Sequence, residues 1–195
     1  MKFLPLEGQS VRLRQFRVDD LPSFQAYRAD PELGRYQGWR PMSDAAATSF
    51  LAEMAAAPFC TPGCWCQLAV ANPGTDALIG DIGLHLAADS QTLEIGFTLA
   101  RAEQGRSLAF EAISLALAAA FEHLPVQRVQ AITDTRNTAS VRLLQRLGFA
   151  HLATLEALFR GEVCQEHHFE FWRPGGAQGV AAGVVERSAE RSALP

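Results

Sequence analysis

No run of about 18 apolar residues occurs in this chain, and no apolar segment follows the basic start at its N-terminus. Neither a membrane span nor a secretory leader is therefore expected. Basic charge is also short: 17 Lys and Arg stand against 21 Asp and Glu, a formal net charge of −4. That balance argues against a nucleic-acid partner and against an anionic membrane surface. Cysteine is sparse, and Cys60, Cys64, Cys66 and Cys164 form neither a disulfide framework nor a CxxC pair. His167 and His168 lie near Cys164, but the spacing matches no common zinc pattern. The thiols read instead as small apolar residues around a Pro-Gly turn and a strand, and no metal is expected. There is no internal repeat. What remains is 195 residues, 48% of them hydrophobic, enough for one domain with a sizeable core in the cytoplasm.

Alternation and turn residues divide the chain. Val11 to Arg17 alternates apolar and basic residues and predicts a first, half-buried strand. Asp19 and Asp20 offer caps for a helix bearing Leu21, Phe24 and Tyr27, which Pro31 stops. Ser43 caps a second helix over Ala45 to Ala57. Trp65 to Ala71, Leu78 to Leu86 and Leu93 to Leu99 follow as antiparallel strands. A long helix then runs from about Arg106 to His123, with Leu108, Ala112, Leu115 and Ala119 at helical spacing. Val126 to Thr133 is a strand, and Asn137 caps a helix closed by Gly148. Phe149 to Phe159 and Gln165 to Trp172 pair last. Residues 1–173 are expected to form the single domain, and 174–195, rich in Gly and Ala, a disordered tail. The result is an α/β fold: a mainly antiparallel sheet of about seven strands with helices on both faces. The strand–helix–strand unit from Leu93 to Thr133 needs a crossover, so that one pair is parallel.

The most informative segment is Leu93-Glu94-Ile95-Gly96-Phe97-Thr98-Leu99, followed by Gln104-Gly105-Arg106-Ser107-Leu108-Ala109. A strand runs into a small-residue turn and then a long helix. Such a helix start aims unpaired backbone N–H groups and a positive dipole end at one spot, which suits a phosphate.

Several marks together resemble the GCN5-related N-acetyltransferase superfamily, and within it the RimJ/RimL-type branch. They are Leu13-Arg14, Trp39-x-Pro41, Glu94-Ile95-Gly96-Phe97, Gln104-Gly105-Arg106-x-x-Ala109 with Glu111-Ala112, and Asn137-x-x-Ser140 through Gly148-Phe149. The resemblance spans roughly Val11 to Arg173. It implies a GNAT-like sheet and acetyl-CoA as co-substrate. Gln104, Gly105, Arg106, Ser107, Leu108 and Ala109 then hold the pyrophosphate, with Arg101 a further candidate. Ser107 stands where the family has glycine. A negative φ there leaves its N–H usable, whereas a positive φ strains it. Phe97, Thr98 and Leu99 become the end of a strand that splays from its neighbour and receives the pantetheine arm, and Asn137 adds a cofactor contact.

For the chemistry, the resemblance makes Glu94 a general base, directly or through water, against the alternative of a surface carboxylate. The tyrosine that many members use to protonate the thiolate is Leu144 here, and Ser140 is the stand-in donor to sulfur. Tyr36, Trp39 and Arg40 fall in the loop between the first two helices, which by the resemblance roofs the acceptor site. These aromatics either pack on the acceptor or seal the helices against the sheet. His85, His123, His151, His167 and His168 are alternative bases; His85, on a strand leading towards the sheet centre, is the best placed of them and a candidate to face the acceptor, against the alternative of an ordinary strand residue. The implied function is acetyl transfer to a primary amine, a protein or peptide N-terminus or a small amine, in a ternary complex. The competing reading is a catalytically weak acyl-CoA-binding sensor or interaction module. A homodimer is compatible with the resemblance, and nothing in the chain requires one.

Overall fold

The structure is a computed structural model, and it describes residues 4–175. The tail expected at 174–195 lies outside the described residues from 176 on. One eight-stranded sheet runs through the described chain: β1 (Leu6–Glu7), β2 (Arg12–Arg14), β3 (Trp65–Ala71), β4 (Leu78–Leu86), β5 (Thr92–Leu99), β6 (Arg128–Asp134), β7 (Ala150–Phe159) and β8 (Glu162–Trp172). Their order across the sheet is β1-β2-β3-β4-β5-β6-β8-β7. Every neighbouring pair is antiparallel except β5 and β6, as the crossover through the long helix requires.

Helices cover both faces. α1 (Leu21–Arg28) and α3 (Asp44–Ala56) lie on one side and share a core of Phe16, Phe24, Tyr27, Phe50, Leu51 and Ala69. α4 (Leu108–His123) and α5 (Thr138–Arg146) lie on the other, over Leu68, Ile82, Leu84, Leu93, Ile95 and Val129. Odd and even positions of β3 divide between the two clusters, Ala69 facing one and Leu68 and Val70 the other. Both cores are thus read directly from the pleat.

The short edge strand β1 is the eighth, where about seven were expected. The first expected strand is also shorter than its pattern: Val11 and Phe16 are buried, but only Arg12–Arg14 pairs with β3. The reason is electrostatic. Arg14 turns into the interior and meets Asp20 in two bonds of 2.7 Å, which bends the chain into the turn at Val18–Asp20. Asp20 is consequently no side-chain cap for α1. Pro31 does not simply stop a helix either. It opens the short helix α2 (Pro31–Gly34), whose N-cap Asp30 accepts from the Glu32 and Leu33 amides. Ser43, Asn137 and Gly148, at φ 88°, take the capping roles their positions predict.

Candidate active site

The site begins where β5 and β6 part. Their parallel register holds Thr92 against Arg128, Leu93 against Val129 and Glu94 against Gln130, then stops. Yet β5 continues to Leu99 and β6 to Asp134. The far half of β5 stays on β4, where Phe97 is opposite Ile82 and Leu99 opposite Gly80. Gly80 permits that close approach, because a Cβ there would lie 2.2 Å from the Thr98 carbonyl oxygen. The open-side carbonyls of β5 are taken by side chains in place of a strand. Gln37 Nε2 donates to Phe97 O at 3.3 Å, and Gln104 Nε2 donates to Leu99 O at 3.1 Å. The splay expected over Phe97, Thr98 and Leu99 is thus visible in the register.

The start of α4 faces the same end of the sheet. Gly105 has φ 75° and Ser107, its N-cap, has φ 61°. Of the two conformations considered for Ser107, the left-handed one is found, a position that glycine occupies without strain. The Ser107 hydroxyl makes no cap bond to its own helix; it accepts from Arg146 Nη1 at 2.9 Å. The first-turn amides of α4 therefore keep no side-chain acceptor, which is the geometry that attracts an anion. Gln104, Gly105, Arg106 and Ser107 are exposed, Ala109 is half-buried, and Leu108 turns into the core. Arg106 pairs with Glu103 at 2.6 Å, and Arg101 forks onto Asp30 at 2.9 and 3.0 Å. Arg101 thereby ties the approach to α4 to the N-cap of α2.

Side-chain parity sorts the remaining residues. His85 and Glu94 are direct cross-strand partners on β4 and β5, both half-buried, on the face opposite α4. Trp65 is the next partner along that row, its ring 5.2 Å from His85, and Gln130 lies on the other side of Glu94. Two sequence candidates, Glu94 and His85, are thus brought together. Ser140 sits half-buried in the first turn of α5, its amide held by Asn137 Oδ1 at 3.3 Å. Leu144 is wholly buried in the core, so no proton donor comes from that position.

The loop between α2 and α3 contributes unevenly. Tyr36 is half-buried, with Arg35 and Arg136 5.3 and 5.9 Å from its ring. Trp39 is only 2% exposed and lies 4.7 Å from the Arg28 guanidinium carbon, against Gly34. Of the two roles considered for it, sealing is the one its burial matches. Below it, Asp81 Oδ2 accepts from Tyr27 and Arg28, and burial pushes the Tyr27 phenol well above its ordinary range. Three residues escaped the sequence reading: Gln37, Arg146, and Arg160, which donates to the carbonyls of Gln37 and Trp39 at 3.0 and 2.7 Å. Arg146 had a local signal, standing immediately before Leu147-Gly148-Phe149; the other two had none. Among the described residues no group of three or more His, Cys, Asp or Glu could hold a metal ion.

A divided parallel pair beside an uncapped helix start is the arrangement expected of an acetyltransferase of the GNAT class. Residues 10–150 match the family model "Acetyltransferase (GNAT) domain", and the chain belongs to that family. A Bacillus subtilis (strain 168) relative described as an uncharacterized N-acetyltransferase, YoaA, is 32% identical over 146 residues, 74% of this chain and 81% of the relative. Among solved structures, a GNAT-family acetyltransferase from Bacillus anthracis superposes with TM-score 0.77 at 19% identity, covering 87% of this chain and 98% of that one. The microcin C7 self-immunity acetyltransferase MccE, solved with acetyl-CoA and AMP, superposes with TM-score 0.72 at 12% identity, covering 85% and 94%. No helix among the described residues is long and apolar enough to cross a membrane.

Proposed function

We propose that this protein is an acetyl-CoA-dependent N-acetyltransferase of RimJ/RimL type. It would move an acetyl group to a primary amine by direct attack in a ternary complex. The observation that carries this is the termination of the β5–β6 register at Glu94 and Gln130, which leaves the Phe97 and Leu99 carbonyls without a strand partner. An amide-rich arm fits there as a substitute strand, and MccE, of the same fold, holds acetyl-CoA.

In this reading Gly105, Ser107, Leu108 and Ala109 present main-chain N–H groups to the pyrophosphate, and Arg146 adds a cation beside Ser107. Phe97, Thr98 and Leu99 line the arm, and Asn137 and Gln104 hold the two sides of the cleft. The acceptor amine approaches over the face that carries His85 and Glu94, under Tyr36. Its nitrogen attacks the thioester carbonyl carbon, a C–N bond forms and the C–S bond breaks. Glu94, directly or through water, takes the proton the amine releases. Ser140 donates a hydrogen bond to the leaving sulfur, which takes up a proton from solvent. We place this reaction in the cytoplasm, with residues 1–173 as the catalytic domain; the four free thiols suit a reducing compartment.

Two observations favour the second reading, a catalytically weak acyl-CoA sensor: Ser107 is left-handed without being glycine, and Leu144 supplies no acid. Calorimetric titration with acetyl-CoA, followed by a thiol-release screen over peptide N-termini and small amines, separates the two. Binding with turnover supports the enzyme, binding without turnover on any acceptor supports the sensor, and no binding removes both.

A further inference from the structure

Two side-chain amides occupy the carbonyls that β6 leaves unpaired, and they differ in kind. Gln104 is five residues from Leu99, on the same turn, so its bond belongs to the local course of the chain. Gln37 is 60 residues from Phe97 and comes from the loop between α2 and α3. That loop is held at its backbone by Arg160, which donates to the carbonyls of Gln37 and Trp39 from the tip of the β7–β8 hairpin. Arg160 and Gly161 have φ 53° and 84°, the left-handed pair of a tight hairpin turn. On the other side the Trp39 ring is packed against Arg28. The backbone at Gln37 is therefore anchored twice, while its side chain is committed only to one neutral, half-buried bond of 3.3 Å.

We propose that the Gln37 side chain is a latch in the groove that receives the cofactor arm. The inference rests on the acetyl-CoA reading above. A primary amide N–H is the same kind of donor as the secondary amide N–H groups of a pantetheine arm, and both seek a strand carbonyl facing the cleft. Gln37 thus fills Phe97 O in the free protein and gives it up when the arm enters. Because Arg160 grips the carbonyls and not the side chain, the exchange needs only rotation of Gln37. The roof over the acceptor face stays in place. A single neutral hydrogen bond is weak enough for such an exchange and strong enough to lower affinity measurably.

The test compares two ligands on wild type and Gln37→Ala: acetyl-CoA, and 3′-phosphoadenosine 5′-diphosphate, the same nucleotide without the arm. Thermal melting first establishes that the variant keeps the wild-type fold. The latch predicts acetyl-CoA binding tighter by about three- to tenfold in the variant, with no change for the arm-less nucleotide. A merely structural role for Gln37 would weaken binding, not strengthen it. Unchanged or weaker acetyl-CoA binding, or an equal gain for both ligands, overturns the latch while leaving the enzyme intact. If wild type and variant both fail to bind acetyl-CoA, the acetyl-CoA reading falls and the latch with it.

Discussion

Arg146 Nη1 donates to the Ser107 hydroxyl at 2.9 Å, joining the last turn of α5 to the N-cap of α4 across 39 residues. Its guanidinium carbon also lies 4.4 Å from the Phe110 ring, which fixes the charge beside the helix start. Arg146→Ala is expected to weaken acetyl-CoA binding by about tenfold, with a loss that shrinks as salt rises. Ser107→Glu places a carboxylate among the same amides and should cost at least as much; Ser107→Gly, which removes the left-handed strain, should not. Titration calorimetry at two ionic strengths reads all three. Full affinity in Ser107→Glu would move the pyrophosphate away from α4.

His85 and Glu94 face each other across β4 and β5 on the face opposite α4, the one proposed to receive the acceptor. With Glu94 as base, Glu94→Gln should lower kcat at least about tenfold and leave the acetyl-CoA Kd near wild type. His85→Ala should act mainly on the acceptor KM, since its ring, 5.2 Å from that of Trp65, lies on the face over which the acceptor is proposed to approach. Steady-state kinetics on any acceptor found in the screen distinguishes these outcomes, and an unchanged kcat for Glu94→Gln returns that residue to a surface carboxylate.

Gly80 is predicted to be intolerant of any side chain. An added Cβ would meet the Thr98 oxygen at 2.2 Å and the Leu99 Cα at 2.9 Å, backbone atoms that cannot step aside. Gly80→Ala should destabilise the fold by about 2 kcal/mol or more and disturb β5, the strand proposed to line the cofactor arm, with it. Urea unfolding measures the first effect and acetyl-CoA titration the second.

Asp134 closes β6 and receives two side-chain bonds from Arg136, at 2.6 and 2.9 Å, and a third from its amide at 2.8 Å, which hold its carboxyl below the ordinary aspartate range. A carboxylate with a lowered folded pKa contributes stability that is complete above its unfolded value, about 3.9, and lost as pH falls through the folded value. Arg136→Ala should therefore lower Tm by about 1–4 °C at pH 7, with the difference closing as pH falls through the lowered folded value. A difference that persists at low pH would assign the effect to packing and not to charge.

Much of the fold was legible because its signals are local. Ser43 and Asn137 before apolar helical runs, Gly148 after one, and the alternation of Leu93 to Leu99 are each decided within a few residues by backbone geometry. The parallel β5–β6 pair followed from the length of the intervening helix. Where local pattern misled, a distant partner was responsible. The alternation of Val11 to Arg17 suggested one long strand, but Arg14 found Asp20 and the strand ended. Trp39 was visible as an aromatic in a loop; its enclosure by Arg28 and Gly34 was not.

By itself, the order of residues determined that a strand runs through a small-residue turn into a long helix, and that a second capped helix follows at the right distance. Those features depend on torsions and caps between near neighbours, so a short stretch contains all the information. Only the tertiary structure decided that Gln37 reaches Phe97, that Arg160 holds the loop between α2 and α3, that Arg146 meets Ser107, and that His85 stands opposite Glu94. Such meetings depend on how two cores pack on one sheet. That free energy is summed over the whole chain, and no window of sequence contains it.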